Sequence, residues 1–112
     1  MTLTVEGTDL CIILGNLLDN ALEAVGNLPV ERRLVKLVVR LEKETLHIMV
    51  ENPYAGEIME NADGTIKSSK GQGDLHGYGL ISVRKTAEKY NGDLVIRHGE
   101  GVFRASAILY PK

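Results

Sequence analysis

Four short polar side chains recur along one side of an otherwise apolar stretch, residues 10–25. Asn16, Asp19, Asn20 and Glu23 are spaced by three and four residues, so in a helix that turns about 100° per residue they project from one narrow arc. Asn and Asp are poor residues for a helix interior, because their side chains compete for backbone hydrogen bonds. Short oxygen donors without Lys or Arg suit Mg²⁺ and its phosphates. The alternative is an arc that simply faces water.

Glycines form a second cluster, between Gly71 and Gly79. The last two, Gly77 and Gly79, are predicted to open a helix. Glycine lets a ligand approach the main chain, and a helix N-terminus offers free N–H groups, so this segment is a candidate polyphosphate site. It matches neither the P-loop nor the dinucleotide fingerprint, because no strand leads directly into it. A loop that ends in a helix start is the alternative interpretation.

The remaining periodicity predicts the elements that position these residues. The sequence predicts a strand over residues 2–6, a helix over 10–25 capped by Thr8 or Asp9, strands over 33–41 and 45–51, a loop, a helix that ends before Asn91, and strands over 94–98 and 102–110. These elements form an α+β fold, a two-layer sandwich in which both helices pack on one face of a mixed, mostly antiparallel sheet. The long loop, residues 54–76, is a candidate lid.

Size and composition restrict the class of protein. A chain of 112 residues is expected to form a single domain, 1–112, and a formal charge of −2 gives no reason to expect nucleic acid or direct membrane contact. No apolar run reaches the roughly 18 residues that cross a bilayer, and we expect a cytoplasmic domain. The single cysteine, Cys11, lies in the apolar helix pattern and is predicted to be a reduced core residue.

Taken together, the two motifs resemble those of a known family. Residues 15–24, GNLLDNALEA, are similar to the N box of sensor histidine kinases, and residues 77–83, GYGLISV, are similar to their G2 box. Over nearly its whole length the chain resembles the GHKL, or Bergerat-fold, ATP-binding domain. It is most similar to the peptide-sensing, quorum-sensing subfamily of Gram-positive bacteria.

This resemblance implies ATP and Mg²⁺ as cofactors and assigns roles on the first helix. Asn20 is the implied Mg²⁺ ligand, Asn16 lies close to the metal and the phosphates as the candidate catalytic residue and second ligand, and Glu23 borders the nucleotide. Relatives that hydrolyse ATP have Glu where this chain has Asn16. An amide cannot accept a proton from water in the same way, which favours phosphoryl transfer to a protein acceptor.

The resemblance also assigns roles near the lid. The main-chain donors of the second helix are implied to face the phosphates, and they belong to Gly77, Tyr78, Gly79 and Leu80. Lys67 or Lys70 adds charge from the lid in this interpretation, although lysines in loops are commonly just solvated.

One motif departs from the family pattern. The usual G1 box, Asp-x-Gly-x-Gly, is replaced by residues 50–56, VENPYAG. Aligned on the strand end, Asn52 takes the place of the Asp that recognises the exocyclic amine of adenine, and its side-chain oxygen can accept the same hydrogen bond. A neutral acceptor is weaker than a carboxylate, so we expect modest ATP affinity.

The implied reaction ends on a histidine that this chain does not supply. His47 and His98 lie in alternating strands and are expected to face the surface, and neither these nor His76 is followed by the residues that mark a phosphoacceptor helix. The expected partners are therefore a separate dimerisation domain that carries the acceptor histidine and a response regulator. The parent protein is expected to be anchored in the cell membrane.

Two other functions remain open. The domain is alternatively a serine kinase of the anti-sigma-factor type, or a degenerate GHKL scaffold that binds other proteins and no nucleotide. A histidine-bearing helical hairpin encoded upstream of Met1 would favour the histidine kinase, and a natural start at Met1 the serine kinase.

Overall fold

The computed structural model describes residues 5–55, 59–60, 66–67 and 74–111, with side chains for 5–55 and 79–111. The elements in chain order are α1 (Gly7–Val25), a 3₁₀ turn (Val30–Arg32), β1 (Lys36–Glu42), β2 (Thr45–Pro53), β3 (Met59–Glu60), β4 (Ile66–Lys67), α2 (Asp74–Glu88), β5 (Asp93–Gly99) and β6 (Val102–Leu109). The predicted α+β sandwich is confirmed.

Helix α1 buries one side along its whole length. The buried side chains recur every four residues, at Ile13, Leu17, Ala21 and Val25, which is the spacing that places side chains on one face of a helix. They pack on β2 and on α2. The predicted core face of this helix is thus confirmed.

Two expectations for α1 are wrong. The helix begins at Gly7, with Glu6 as its N-cap, so Thr8 and Asp9 lie inside its first turn. Cys11 is exposed, because it lies two residues before Ile13 and about 200° away from it around the helix.

The main sheet has the strand order β1-β2-β6-β5, and a two-stranded ribbon joins β3 to β4. Every strand pairing that the structure describes is antiparallel, so the expected parallel component is not found in this part of the chain. Along β2, alternate side chains point toward the helices and are buried, and they are Leu46, Ile48, Val50 and Asn52. A polar residue therefore ends an apolar row on the core side.

The carboxyl end of α2 is fixed by main-chain geometry. The chain leaves the helix through Asn91, whose φ is +61°, and the Gly92 N–H bonds back to the Ala87 carbonyl at 2.9 Å, as is common at helix C-termini. A Cβ on Gly92 would lie 1.7 Å from the Ile108 carbonyl oxygen. This position accepts only glycine, because β6 passes directly against it.

The first strand and the lid fall mostly outside the described residues. Of the predicted strand over 2–6, only Val5 and Glu6 are described, and they are neither helix nor strand. Within residues 54–76, the structure describes the β3–β4 ribbon and the start of α2 at Asp74. No helix in the described part of the chain is long and apolar enough to cross a membrane.

Candidate functional site

The two motifs singled out in the sequence meet where α1 packs on α2. Asn16 lies on α1 and Gly79 on α2, and a Cβ added to Gly79 would be 3.1 Å from Asn16 Oδ1. A side chain at residue 79 would displace this oxygen, whereas glycine, which has only a hydrogen, leaves it in place. The two residues are 63 positions apart in the chain, and the packing of the helices brings them into contact.

The orientation of the Asn16 amide is fixed by its own helix. Asn16 Nδ2 donates to the Ile12 carbonyl at 2.8 Å, one turn earlier. In the opposite orientation two oxygens would face each other, so Oδ1 must be the atom directed at Gly79. The half-buried side chain therefore presents an acceptor oxygen to the second turn of α2.

The amide of Asn52, at the end of β2, is also oriented by a main-chain carbonyl. Its side chain is 2% exposed, and Nδ2 donates to the Pro53 carbonyl at 2.8 Å. The other atom of the amide, Oδ1, is buried and has no hydrogen-bond partner among the described residues. A buried acceptor without a partner costs about 1–3 kcal/mol, which is recovered when a ligand donor reaches it. An adenine amine is a donor of this kind.

Asn20 and Glu23 continue the polar arc of α1 toward its carboxyl end. Asn20 is half-buried one turn after Asn16, and Glu23 is exposed; both make polar contacts within the protein. Among the described residues, no group of three or more His, Cys, Asp or Glu side chains is placed to hold a metal ion. Amide oxygens such as those of Asn16 and Asn20 are hard oxygen ligands, of the kind that Mg²⁺ binds together with water and phosphate oxygens.

The start of α2 differs from the prediction. The helix begins at Asp74, three residues before Gly77, so Gly77 and Tyr78 lie in its first two turns. The N–H groups that a helix leaves without internal partners are those of its first turn, and here that turn precedes Gly79. Leu80 is 1% exposed and its side chain belongs to the core, so only its main chain can serve a ligand.

The two lid lysines are only partly covered by the structure. Lys67 ends β4, where it pairs with Met59 across the short ribbon. Lys70 lies outside the described residues. Their predicted contact with phosphate stays a prediction.

A polar cluster around the buried Asp9, which the sequence did not indicate, joins the start of α1 to the end of α2. Asp9 is 4% exposed and accepts hydrogen bonds from the Tyr90 hydroxyl at 2.5 Å and from Lys89 Nζ at 3.0 Å. Tyr90 in turn accepts a bond from the Glu6 N–H. The Tyr90 and Lys89 hydrogen bonds lower the pKa of Asp9, and the bond to Asp9 raises the pKa of both Tyr90 and Lys89.

This cluster has a structural role. Asp9 looked like a helix cap because it lies near the helix start, and its partners are 80 and 81 residues away. No spacing rule connects residues so far apart. The closest signal was a Lys-Tyr pair at the end of the second helix, next to Asn91.

His47 and His98 lie on the main sheet. His98 is exposed in β5, and His47 is half-exposed in β2 on the side of the sheet away from the helices. His47 and Arg40 line an open depression on that outer side, of about 460 Å³. Neither histidine lies in the buried row of β2 that ends at Asn52.

Comparison with known families gives one match. The family model described as a GHKL domain matches residues 5–110, which is nearly the whole chain and spans α1, Asn52 and α2. A search of curated proteins finds no match. The chain belongs to the GHKL family, whose members bind ATP.

Proposed function

As the chain is a GHKL domain, we propose that it is the ATP-binding catalytic domain of a sensor histidine kinase, of the peptide-sensing, quorum-sensing type. The observation that carries this proposal is the contact between Asn16 Oδ1 and Gly79. It supports a shared pocket for the metal and the phosphates between the two sequence motifs.

Asn16 and Asn20 are the proposed metal ligands. Both are half-buried amides on one face of α1, four residues apart, and amide oxygens bind hard cations without a change of protonation. Bound Mg²⁺ neutralises phosphate charge in phosphoryl transfer. The protein contributes position: Ile12 fixes the amide of Asn16, and α2 limits its movement from the other side.

The amide side chain at residue 16 also bears on the type of reaction. In this proposal Asn16 takes the position at which ATP-hydrolysing relatives have a Glu that activates water, and an amide is no base at physiological pH. Hydrolysis is therefore disfavoured, whereas transfer to an acceptor that brings its own nucleophile is not. We propose that the acceptor is a histidine on a separate dimerisation domain, and that a response regulator receives the phosphoryl group next.

Asn52 is the proposed adenine contact. Its Oδ1, which has no hydrogen-bond partner among the described residues, is available to the exocyclic amine of the base, and Nδ2 donates to the Pro53 carbonyl. Glu23 would border the nucleotide, while Lys67 and Lys70 in the lid, residues 54–76, would add positive charge near the phosphates. At the start of α2, the N–H groups of the first turn, which begins at Asp74 and includes Gly77, complete the proposed site.

Titration of a fluorescent ATP analogue, with and without Mg²⁺, tests nucleotide binding. We expect saturable, Mg²⁺-dependent binding that Asn20→Ala weakens at least about tenfold, since a hydrogen bond or ligand contact to a charged group contributes about 1.5–3 kcal/mol. Cys11→Ala, an exposed change on the same helix, is the control. A chain that binds no nucleotide would instead be a scaffold.

Two further measurements separate the finer claims. Asn52→Ala should weaken ATP more than inorganic triphosphate, and equal losses would contradict the adenine contact. Transfer from γ-labelled ATP to the parent's helical hairpin should give an acid-labile, base-stable phosphohistidine. An acid-stable phosphoserine on an antagonist protein would favour the anti-sigma-factor type of kinase.

A further inference from the structure

The main sheet has a second face, which points away from both helices. The helices pack on the buried side chains of β2, β5 and β6, and side chains alternate between the two sides of a strand. His47, Met49 and Glu51 of β2 therefore belong to the opposite side, which we call the outer face. A further strand beside β1 would widen this face and would not cover it, because strands of one sheet lie side by side.

An apolar row crosses the middle of the outer face. Met49 pairs with Val38 of β1 and with Ser106 of β6, and Ser106 pairs with Val95 of β5. All four side chains are half-buried. With about 4.8 Å between neighbouring strands, the row is about 14 Å long. The centre of the outer face is thus largely apolar and slightly recessed.

A basic border lies on one side of this row. Across the four strands it consists of Lys36, Glu51, Arg104 and Arg97. Glu51 is occupied by Arg104, whose Nε and Nη2 donate to its Oε1 at 2.9 and 2.7 Å. Among the described residues, Lys36 and Arg97 form no ion pair, and Arg97 lies directly opposite another arginine. Since like charges in opposite positions destabilise a sheet, this border has uncompensated positive charge.

The border on the other side of the row is basic and concave. Arg40 pairs with His47, and His47 pairs with Ile108; these three side chains line part of the depression of about 460 Å³. Arg40 is exposed and has no ion-pair partner in the described ranges. The acidic residue of this border, Asp93, lies 3.5 Å from Arg84 Nε of α2. Positive charge therefore faces the apolar row from both sides.

We propose that the outer face docks a protein partner whose contact surface has an apolar centre bordered by carboxylates. The partner's apolar side chains cover the row from Val38 to Val95. Its carboxylates meet Arg97 on one border and Arg40 on the other, where the depression admits an acidic side chain. An apolar centre within a polar rim is the usual anatomy of protein interfaces, and complementary rim charges set the choice of partner.

The carboxylates of the outer face favour a protein over nucleic acid or anionic lipid. Glu42, Glu51 and Asp93 lie among the basic residues, so a uniformly negative surface would approach all three, whereas a protein can place neutral or basic groups there. The apolar row is half-buried between charged borders, and a bilayer requires apolar side chains that insert into it.

The proposed docking is independent of nucleotide binding. In β2, Glu51 belongs to the outer face and the adjacent Asn52 is buried on the helix side. A partner on the outer face therefore leaves the candidate ATP site open. Loss of docking in a variant that still binds ATP would thus concern this proposal alone.

Titration of the ¹⁵N-labelled chain with two synthetic peptides tests the docking. The probe is an amphipathic helical peptide with a leucine stripe bordered by glutamates, and its match has lysines in place of the glutamates. We expect saturable shifts of the Met49, Val95 and Ser106 amide signals with the acidic peptide only. The dissociation constant should be about 0.1–1 mM, because a surface of this width forms a small interface. Shifts that do not saturate, or equal shifts with the lysine peptide, overturn the proposal.

Charge reversal has a matched control on the same chain. Arg97→Glu should weaken binding of the acidic peptide about tenfold, since an attractive contact becomes repulsive. Arg32→Glu makes the same change at an exposed arginine of the 3₁₀ turn, outside the outer face, and should alter binding by less than about twofold. Equal losses would show that net charge alone is responsible and contradict the proposal. The melting temperature of each variant monitors the fold.

The apolar row is tested in the same way. Val95→Thr keeps a β-branched side chain in the strand and should weaken the acidic peptide about threefold to tenfold, whereas Val30→Thr, at an exposed valine outside the sheet, should have no effect. Vesicles that contain phosphatidylserine and a DNA duplex are the competing probes. If either one binds the outer face more tightly than the acidic peptide does, the assignment to a protein partner is wrong.

Discussion

Replacing Gly79 by alanine should weaken ATP binding without weakening the fold. Gly79 lies in the interior of α2, where alanine is favoured over glycine by about 0.8–1 kcal/mol. The added Cβ would be 3.1 Å from Asn16 Oδ1, which requires the oxygen to move by a few tenths of an ångström. Asn16 resists this movement because its Nδ2 is bonded to the Ile12 carbonyl at 2.8 Å.

The size of the effect follows from the contacts that Asn16 would make. If its oxygen shifts away from the metal and the phosphates, the loss is that of a hydrogen bond or ligand contact to a charged group, about 1.5–3 kcal/mol. The dissociation constant for Mg²⁺-ATP should then rise by about ten- to a hundredfold. Isothermal titration calorimetry measures this change directly.

Gly15→Ala is the matched control. Gly15 lies in the interior of α1, next to Asn16, and no described atom lies within 4 Å of its added Cβ. It should therefore gain the same stability from helix propensity, about 0.8–1 kcal/mol, with ATP affinity unchanged. If Gly79→Ala binds Mg²⁺-ATP as tightly as Gly15→Ala does, the placement of Asn16 in the nucleotide site is refuted.

Three other variants address the fold and its polar groups. Asn52→Asp should lower the free energy of unfolding by about 1–3 kcal/mol, because a buried carboxylate cannot donate to the Pro53 carbonyl. Urea denaturation at pH 7 measures this loss. An unchanged urea midpoint would contradict the orientation of the Asn52 amide. The pKa of Asp9 is lowered from its ordinary value of 3.8 by its Tyr90 and Lys89 hydrogen bonds, so the stability it contributes is present above pH 3.8 and is lost as the pH falls through the lower folded-state pKa. Urea midpoints at decreasing pH should show this loss in the wild type and not in Asp9→Asn. Gly92→Ala should lower the free energy of unfolding by at least about 2 kcal/mol. Gly99→Ala is the control and should leave it unchanged, because there is open space around Gly99. Equal melting temperatures for the two variants would rule out the contact of Gly92 with β6.

Periodicity predicted the parts of the fold that depend on local spacing. The buried face of α1 follows from apolar residues at every fourth position, and both hairpins follow from alternation between turn residues. The same rules failed for Cys11, because residue type alone does not show which side of a helix is covered. They also did not indicate that Leu37, Val39 and Leu41 of β1 would be about half exposed on the side of the sheet that carries the helices, since alternation shows two faces of a strand and not what packs on each.

The sequence indicated the residues of the candidate site, but it did not predict their geometry. Family resemblance, and not spacing, connected Asn16 to Gly77 and Gly79, which lie 61 and 63 residues later, and the contact with Gly79 is a property of helix packing. The orientation of the amides of Asn16 and Asn52 depends on main-chain carbonyls nearby, which sequence patterns do not show. The partners of Asp9 were missed for the same reason, because tertiary contacts alone bring them together.

Several contacts fix the carboxyl end of α2 in the fold. At the carboxyl end, Asp9 holds Lys89 and Tyr90, Gly92 leaves no space for displacement, and the Tyr110 N–H bonds to the Tyr90 carbonyl at 2.9 Å. Any displacement of this end of α2 consequently requires that the hydrogen bonds to Asp9 and Tyr110 break together.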